Sequence, residues 1–209
     1  MIIEPNWPAP RNIRALMTRV PLEVSLPLEP TWLQQVHGSG VIRLPAASDQ
    51  VADAAVSSVP SAICIVKTAD CLPILVTHTL GIEVAAIHAG WRGLLSGVIE
   101  STFSNMHSPP EDCIAWIGPA ISKAHFEVGP EVREAFLIAH PDFESAFVEN
   151  QRGHYQADLA WMAAEVLHQS GIKKVYQSSL CTYADSRFYS YRRDQGQTGR
   201  MASLIYILP

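Results

Sequence analysis

The sequence predicts an α/β (α+β) layered sandwich built on a mixed β-sheet. Short apolar segments rich in β-branched residues alternate along the chain with amphipathic helical segments, which indicates layers of helix and sheet. Segments 72–78 and 81–89 flank the turn His78-Thr79-Leu80-Gly81, which favours a hairpin and argues against a purely parallel sheet. No linker, repeat or low-complexity stretch interrupts the chain, so we expect a single domain over residues 1–209.

The strands are predicted from apolar runs bounded by turn residues. A first pair of segments is separated by Gly38-Ser39-Gly40, which breaks the strand pattern. In chain order, the predicted strands are 31–38, 41–44, 61–68, 72–78, 81–89, 113–118, 173–179 and 202–208.

Three helices are predicted. Residues 92–107 repeat apolar side chains at i, i+3 and i+4, and Pro109-Pro110 end the pattern. Residues 130–140 begin with a proline, which suits the first helical position. Residues 157–171 are amphipathic and end at Gly171, a residue typical of the position after a helix.

Composition excludes several classes of protein. The 209 residues are 48% hydrophobic and 17% charged, with a net charge of -5 and no run of Lys or Arg longer than a pair, so nucleic acid is not an expected partner. No segment approaches the about 18 apolar residues that a membrane span needs. The N-terminus lacks the apolar core of a signal peptide, and the four cysteines form no CxxC. We therefore expect reduced thiols and a cytoplasmic location.

The clearest candidate for chemistry is the hairpin just described. Cys71 precedes its outgoing strand and His88 ends its return strand, so an antiparallel pairing places the two side by side. A thiolate beside an imidazole is either a nucleophile–base pair or two ligands of a metal. His37 ends another predicted strand, and two histidines with one cysteine form a known catalytic zinc set. Taken singly, each of these residues is more often structural than catalytic.

Other residues could bind substrate or assist. Arg92 follows a strand–turn–helix junction whose free N–H groups suit an anion, although a tight turn with a surface arginine fits equally well. Asp70 could orient a ligand or act as a base, or point away on the alternating strand. Asp53 is either a substrate contact or the cap of a strand. Arg192 and Arg193, among Tyr and Phe, could clamp a phosphate or belong to a solvated loop.

From about Trp32 to the C-terminus the chain resembles the YfiH-type family, also called laccase-domain or multicopper polyphenol oxidase proteins and peptidoglycan editing factors. The segments that carry the resemblance stand in the family's order: QQVHG, ADAAVSS, KTADCLPILV, AAIHAGWRG, IGPAI, FEVG and CTY followed by FYSYRRDQGQTGRMAS.

The resemblance implies a fold related to toxin cysteine deamidases and a zinc site formed by His37, Cys71 and His88. It implies purine nucleoside phosphorylase activity on adenosine, inosine and methylthioadenosine, with adenosine deaminase activity, so a purine nucleoside and phosphate are the expected partners. A metal-free Cys71–His88 amidase that edits peptidoglycan precursors is the second hypothesis. Copper-dependent oxidation of polyphenols is the third, because a single His-Cys-His site offers few ligands for oxygen reduction.

The resemblance has one departure. Family members carry a longer segment before QVHG, whereas here twelve residues separate Met17-Thr18-Arg19 from Trp32. Arg19 matches the arginine of that segment's TR pair, which makes it a further candidate for substrate binding. Since the segment borders the family's pocket, we expect its length to affect substrate affinity.

Overall fold

The computed structural model describes residues 1–209, which fold into fourteen strands and four α-helices. The strands are β1 Ile13–Arg19, β2 Leu33–Gln34, β3 Val41–Arg43, β4 Gln50–Val51, β5 Ala54–Ser57, β6 Cys64–Thr68, β7 Leu72–His78, β8 Val84–Ala89, β9 Cys113–Ile117, β10 Glu127–Val128, β11 Phe147–Glu149, β12 Tyr155–Ala157, β13 Lys174–Gln177 and β14 Met201–Ile207. The helices are α1 Trp91–Leu95, α2 Val98–Asn105, α3 Pro130–Ala139 and α4 Leu159–Gln169, with 3₁₀ segments at Pro110–Asp112, Lys123–His125 and Pro141–Ala146.

A six-stranded mixed sheet in the order β13-β9-β7-β8-β5-β3 forms the centre of the molecule. Its outer pairs β13/β9 and β3/β5 are parallel, and the pairs between them are antiparallel. The predicted hairpin is confirmed as β7/β8, with Pro73 opposite His88 and Leu72 opposite Ala89. The mixed α/β character that the sequence predicts is therefore confirmed.

The central sheet is covered on both faces. Its larger apolar core joins β7, β8 and β9 to side chains of α2, α3 and α4. A second core joins the opposite face, through Leu75, Ala86 and Trp116, to β6 and β14 of a three-stranded antiparallel sheet ordered β1-β14-β6. The outer face of that sheet is covered by residues 20–32, including Trp32. The result is a helix–sheet–sheet layering that places the β7/β8 hairpin in the middle layer.

Two small sheets complete the fold. Strands β10, β12 and β11 form an antiparallel sheet beside α3, and β2 pairs in parallel with β4. Of the short strands in these sheets, β2 lies within the strand predicted over 31–38, whereas β4, β10, β11 and β12 were not predicted, and neither were β1 and β5. Strand β1 mixes Arg and Thr with apolar residues, so it gives a weak strand pattern although its centre is buried. No helix is both long and apolar enough to cross a bilayer; the longest, α4, has 11 residues.

Two predicted elements were wrong in their extent. The single helix over 92–107 is two helices, because Gly97 has a left-handed backbone with a φ of 79° between α1 and α2. The strand predicted over 31–38 ends at Gln34, and His37 follows in a loop with a φ of 61°. The remaining predicted strands and helices are present, with ends shifted by a few residues.

Candidate metal and catalytic site

His37, Cys71 and His88 meet at one edge of the central sheet. The potential ligand atoms of the three side chains all lie within 4.8 Å of one another. The two imidazole rings stand edge to face, with centroids 4.8 Å apart. His88 is buried, Cys71 is partly exposed and His37 is exposed, so the cluster opens to solvent on the His37 side. The structure thus brings together the three residues that the sequence singled out.

Different elements supply the three side chains. His88 lies on β8, and Cys71 lies in the turn between β6 and β7, immediately before the ladder pair formed by Leu72 and Ala89. His37 comes from the loop between β2 and β3. Because β7 and β8 are adjacent antiparallel strands, the end of one returns to the start of the other, and this places the cysteine beside the histidine.

The turn after β8 allows the cluster to be compact because Gly90 has no side chain. A Cβ atom at Gly90 would lie 3.0 Å from Cys71 Sγ and 3.1 Å from His37 Cδ2. A Cβ atom at Gly93 would lie 3.0 Å from the carbonyl oxygen of Gly38. The HAGWRG motif therefore has a packing explanation, since its glycines let the 36–38 loop approach β8.

Asp53 forms hydrogen bonds with both histidines from the buried side of the cluster. Its carboxylate is fully buried, and Oδ1 lies 2.7 Å from His88 Nδ1. The carboxylate also accepts the backbone N–H groups of Val36, His37 and Gly38, at 3.2, 2.9 and 2.8 Å. The sequence offered Asp53 as a substrate contact, but the structure places it under the loop, where it acts on the histidines.

Hydrogen bonding sets the protonation of the cluster. Burial opposes ionisation of the Cys71 thiol, but hydrogen bonds with His37 and His88 outweigh it and lower the pKa to about 6. Burial also disfavours the His88 imidazolium, but its bonds to Asp53 and Cys71 raise the pKa to about 9. Burial raises the pKa of Asp53, yet the bonds from His88 and Gly38 hold it below its usual range. The three groups therefore favour a thiolate beside an imidazolium in the absence of a metal.

The donor set fits a zinc ion. Zinc prefers cysteine sulfur and histidine nitrogen in tetrahedral geometry, with bonds of about 2.0 to 2.3 Å. Because Nδ1 of His88 is bonded to Asp53, its Nε2 is the nitrogen available to a metal, and a carboxylate behind a ligating histidine is a common arrangement. The lowered pKa of Cys71 makes its thiolate available at neutral pH, which metal binding requires.

Asp70 does not join the cluster through its side chain. Its carboxylate accepts hydrogen bonds from the hydroxyls of Thr182 and Ser190, at 2.6 and 3.0 Å, and from the backbone N–H of Arg192 at 2.7 Å. The proposed roles of Asp70 as a base or as the residue orienting a ligand therefore give way to a contact with the C-terminal part of the chain.

The candidate arginines differ in whether their guanidinium N–H donors are already bonded within the protein. Arg193 uses all five of its N–H donors on the carbonyls of Thr182, Tyr183 and Phe188 and on the carboxylate of Asp194. It therefore has no donor left for a phosphate, which argues against the phosphate clamp and favours the other sequence-based interpretation, a residue of the loop.

Arg19 is also engaged. It donates to the carbonyl of Arg187 at 2.6 Å and lies over the ring of Tyr189, so it supports the C-terminal segment.

Arg92 and Arg192 remain available. Arg92 is exposed, and its guanidinium stacks on Trp91 at 4.6 Å and makes no hydrogen bond or ion pair within the protein. It lies on α1, whose five residues give a much smaller dipole than the long helix that the sequence predicted. Arg192 is exposed and donates from its side chain only to the carbonyl of Glu127.

Sequence reasoning missed the hydrogen-bond partners of this site. Thr182 and Ser190 lie more than a hundred residues from Asp70 along the chain, and nothing in their local sequence marks them. The sequence contains a weak indication of the role of Asp53. This residue immediately precedes β5, which is antiparallel to β8, so it lies at the same edge of the sheet as His88 near the end of β8.

Comparison with known proteins identifies the family. Residues 9–208 match the model of the family described as multi-copper polyphenol oxidoreductase laccase. The chain belongs to this family. Its members include the purine nucleoside phosphorylase YfiH of Escherichia coli, which is 46% identical over 188 residues, covering 88% of this chain and 76% of that protein.

Two further members show how the chain compares in length and shape. The purine nucleoside phosphorylase PA4543 of Pseudomonas aeruginosa is 38% identical over 237 aligned residues, which cover 98% of each chain. Because the alignment has 237 positions and this chain has 209 residues, the alignment contains gaps in this chain. The relative therefore has internal residues that this chain lacks. The crystal structure of the Neisseria meningitidis protein NMB0706 superposes with a TM-score of 0.91 at 36% identity, covering 100% of this chain and 99% of that one.

Proposed function

We propose that the protein is a purine nucleoside phosphorylase whose reaction centre is formed by His37, Cys71 and His88. The observation that carries the proposal is the convergence of these three side chains in a chain whose curated relatives are named purine nucleoside phosphorylases. In phosphorolysis, a phosphate oxygen forms a bond to C1′ of the ribose while the bond from C1′ to the purine nitrogen breaks. The products are ribose 1-phosphate and a purine base, which takes up a proton.

The proposed roles follow from the positions of the side chains. His37, Cys71 and His88 would hold a zinc ion, and Asp53, bonded to Nδ1 of His88, leaves Nε2 as the nitrogen that would bind it. Zinc bound there would supply a Lewis acid that polarises a substrate oxygen or lowers the pKa of water. Arg92 and Arg192, the two candidate arginines with free donors, bind the phosphate.

We further propose that the same centre deaminates adenosine. That reaction replaces the C6 amino group of the purine with an oxygen from water and releases ammonia. The exposed position of His37 leaves the cluster accessible to a nucleoside from one side, as both reactions require.

A cysteine amidase is the second candidate function, and one observation favours it. Cys71, His88 and Asp53 stand in the order of a nucleophile, a base and an orienting carboxylate, with Asp53 Oδ1 2.7 Å from His88 Nδ1. The lowered pKa of Cys71 and the raised pKa of His88 are those of an activated thiolate–imidazolium pair. Such a pair acts on amides without a metal, as editing of a peptidoglycan precursor would need.

Copper-dependent oxidation of polyphenols is the third candidate. The family description favours it, and two histidines with a cysteine can bind a single copper ion. The structure assembles one group of three potential ligands from His, Cys, Asp and Glu, whereas multicopper chemistry needs several metal centres. We therefore rank it below the other two.

We also propose a cellular location and binding partners for the protein. All four cysteines are free thiols, which supports a reducing, cytoplasmic location. The expected partners are small molecules, a purine nucleoside and phosphate, with neither nucleic acid nor membrane.

Product analysis tests the proposed function. Purified protein is incubated with inosine or adenosine, with and without inorganic phosphate, and base, ribose 1-phosphate and ammonia are measured. We expect phosphate-dependent release of base with one ribose 1-phosphate per base, and phosphate-independent ammonia from adenosine. Absence of ribose 1-phosphate with both nucleosides would contradict the proposal and favour the amidase.

A further inference from the structure

Asp70 connects the turn that carries Cys71 to a distant part of the chain. Only 8% of Asp70 is exposed, and its carboxylate has three partners. Oδ1 accepts the hydroxyl of Thr182 at 2.6 Å, and Oδ2 accepts the hydroxyl of Ser190 at 3.0 Å and the N–H of Arg192 at 2.7 Å. The residue immediately before the cysteine therefore holds the segment that contains Arg192.

The backbone of Asp70 has an unusual conformation that supports this contact. Its φ is 86°, in the left-handed region that non-glycine residues rarely adopt. Its carbonyl accepts the N–H of Ile121 at 3.0 Å, so the turn is fixed from two sides. Strained residues of this kind persist where the surrounding structure holds them, and they are concentrated at functional sites.

The segment held by Asp70 has no helix or strand between Thr182 and Arg200, so turn hydrogen bonds of its backbone and side-chain contacts fix it. Arg193 braces it from within through its five donors. Arg192, the next residue along, has its backbone N–H on Asp70 and its guanidinium over Phe126, with one donor on the carbonyl of Glu127. Its other donors are free, and the position of its guanidinium depends on where Asp70 holds its backbone.

We propose that Asp70 is a positioning residue that fixes Arg192 beside the Cys71 turn, so that the affinity of the site for phosphate depends on a carboxylate that does not touch phosphate. The proposal rests on the assignment of Arg192 to phosphate under the proposed function. Asp70 becomes a buried residue that supports phosphate binding through Arg192, which explains why an acid lies next to a site for an anion.

The direction in which Asp70→Asn changes the affinity for phosphate distinguishes a positioning role from a purely electrostatic one. Asp70→Asn removes a negative charge, so a purely electrostatic role predicts tighter binding of phosphate. An asparagine in the same place turns an N–H₂ group toward at least one of the donors that the carboxylate now accepts, and its carbonyl oxygen cannot replace both oxygens. Whichever way the amide faces, an uncharged acceptor replaces the carboxylate, so the bond from the backbone N–H of Arg192 is weakened or lost, and positioning predicts weaker binding.

The experiment measures the dissociation constant of inorganic phosphate by isothermal titration calorimetry. The proteins are the wild type, Asp70→Asn, Arg192→Ala, the double variant and Asp185→Asn, each with its metal content matched. Asp185 is the control because it lies in the same segment and pairs with Arg187 instead. We expect Asp70→Asn to weaken phosphate binding about tenfold, the loss of one hydrogen bond to a charged group, and Asp185→Asn to leave it unchanged.

The double variant tests whether Asp70 acts through Arg192. We expect it to bind phosphate no more weakly than Arg192→Ala alone, since the arginine that Asp70 positions is already gone. Equal or tighter binding by Asp70→Asn, or a full tenfold further loss in the Arg192→Ala background, would overturn the proposal. Absence of phosphate binding by the wild type would overturn it as well.

Two further variants keep the proposal testable if Asp70→Asn does not fold. Ser190→Ala removes one donor to Asp70 and keeps all charges, and Thr182→Val does the same at the other oxygen. Ser190→Ala should weaken phosphate binding in the same direction as Asp70→Asn, with less change in the thermal unfolding midpoint. Phosphorolysis is assayed in parallel, so that phosphate binding without ribose 1-phosphate formation identifies a failure of the proposed function alone.

Discussion

Asp53 Oδ1 lies 2.7 Å from His88 Nδ1 in the fully buried base of the site, and the same oxygen accepts the backbone N–H of His37 at 2.9 Å. One carboxylate therefore sets the ring of one histidine and the backbone of the other. Because Nδ1 of His88 is occupied, Nε2 is the nitrogen left to meet Cys71 or a metal. The arrangement explains how residues from a strand and from a loop keep a fixed relation.

Asp53→Asn should lower the affinity for zinc by about 10- to 100-fold, the usual effect of removing the partner of a ligating histidine. The amide would also leave at least one N–H of the 36–38 loop without an acceptor. Zinc affinity is measured by competition with a chelating dye. Asp49→Asn, an exposed acid just before β4, is the control and should bind zinc as the wild type does. Unchanged zinc affinity in Asp53→Asn would show that Asp53 does not orient the ligands.

Gly90→Ala should disrupt the cluster, since the new Cβ would lie 3.0 Å from Cys71 Sγ and 3.1 Å from His37 Cδ2. We expect less than one zinc per chain and a loss of activity, measured by metal analysis and turnover. Gly38→Ala is the matched control, because a Cβ there meets its nearest atoms at 3.6 Å, an ordinary contact. If both variants bind zinc equally, close packing at Gly90 is not a requirement of the site.

In metal-free protein, alkylation of Cys71 by iodoacetamide should follow its pKa of about 6. The thiolate is the reacting form, so the rate should fall about tenfold per pH unit below 6 and approach a plateau above it. Between pH 6 and 9 the thiolate stands beside protonated His88, whose pKa is about 9. Cys64 should stay unmodified over this range, since burial raises the pKa of its thiol far above the usual value. Half-maximal alkylation of Cys71 near pH 8.5, the value of a free cysteine, would contradict the geometry.

Ser203→Ala should stabilise the protein. Ser203 lies in β14, the middle strand of its sheet, and its hydroxyl is fully buried without a hydrogen-bond partner. Removing an unsatisfied buried hydroxyl should raise the free energy of unfolding by about 1 kcal/mol, measured by urea denaturation. Ser57→Ala is the control, because the Ser57 hydroxyl accepts the N–H of Val59 at 3.1 Å, and it should destabilise the protein. Destabilisation by Ser203→Ala would indicate that the hydroxyl has a partner such as a buried water.

The sequence predicted those parts of the fold and site that depend on local pattern. The β7/β8 hairpin follows from apolar runs around a four-residue turn, and once it forms, Cys71 and His88 must be neighbours. Helix α3 follows from a proline at its first position, and helix α4 follows from an amphipathic pattern that ends before Gly171. The membership of the family rested on motifs that stand in the printed sequence, and the family model confirms it.

What the sequence did not reveal depends on contacts between distant residues. Arg193 and Arg192 are adjacent and chemically identical, yet only the structure shows that one is fully occupied and the other is not. The break at Gly97 was missed because the apolar stripe continues through it. That residues 1–209 form one domain, and that the fold is related to toxin cysteine deamidases, stay predictions.

The central claim is that a metal held by His37, Cys71 and His88 serves nucleoside phosphorolysis, and metal analysis joined to turnover tests it most directly. Zinc per chain and phosphate-dependent release of base from inosine are measured on the purified protein, after chelation, and after zinc is returned. We predict one zinc per chain, loss of phosphorolysis on chelation and recovery with zinc, whereas Cys71→Ala should bind less than one zinc per chain and show no phosphorolysis in any of the three states. Full phosphorolysis by the metal-free protein would contradict a role for the metal.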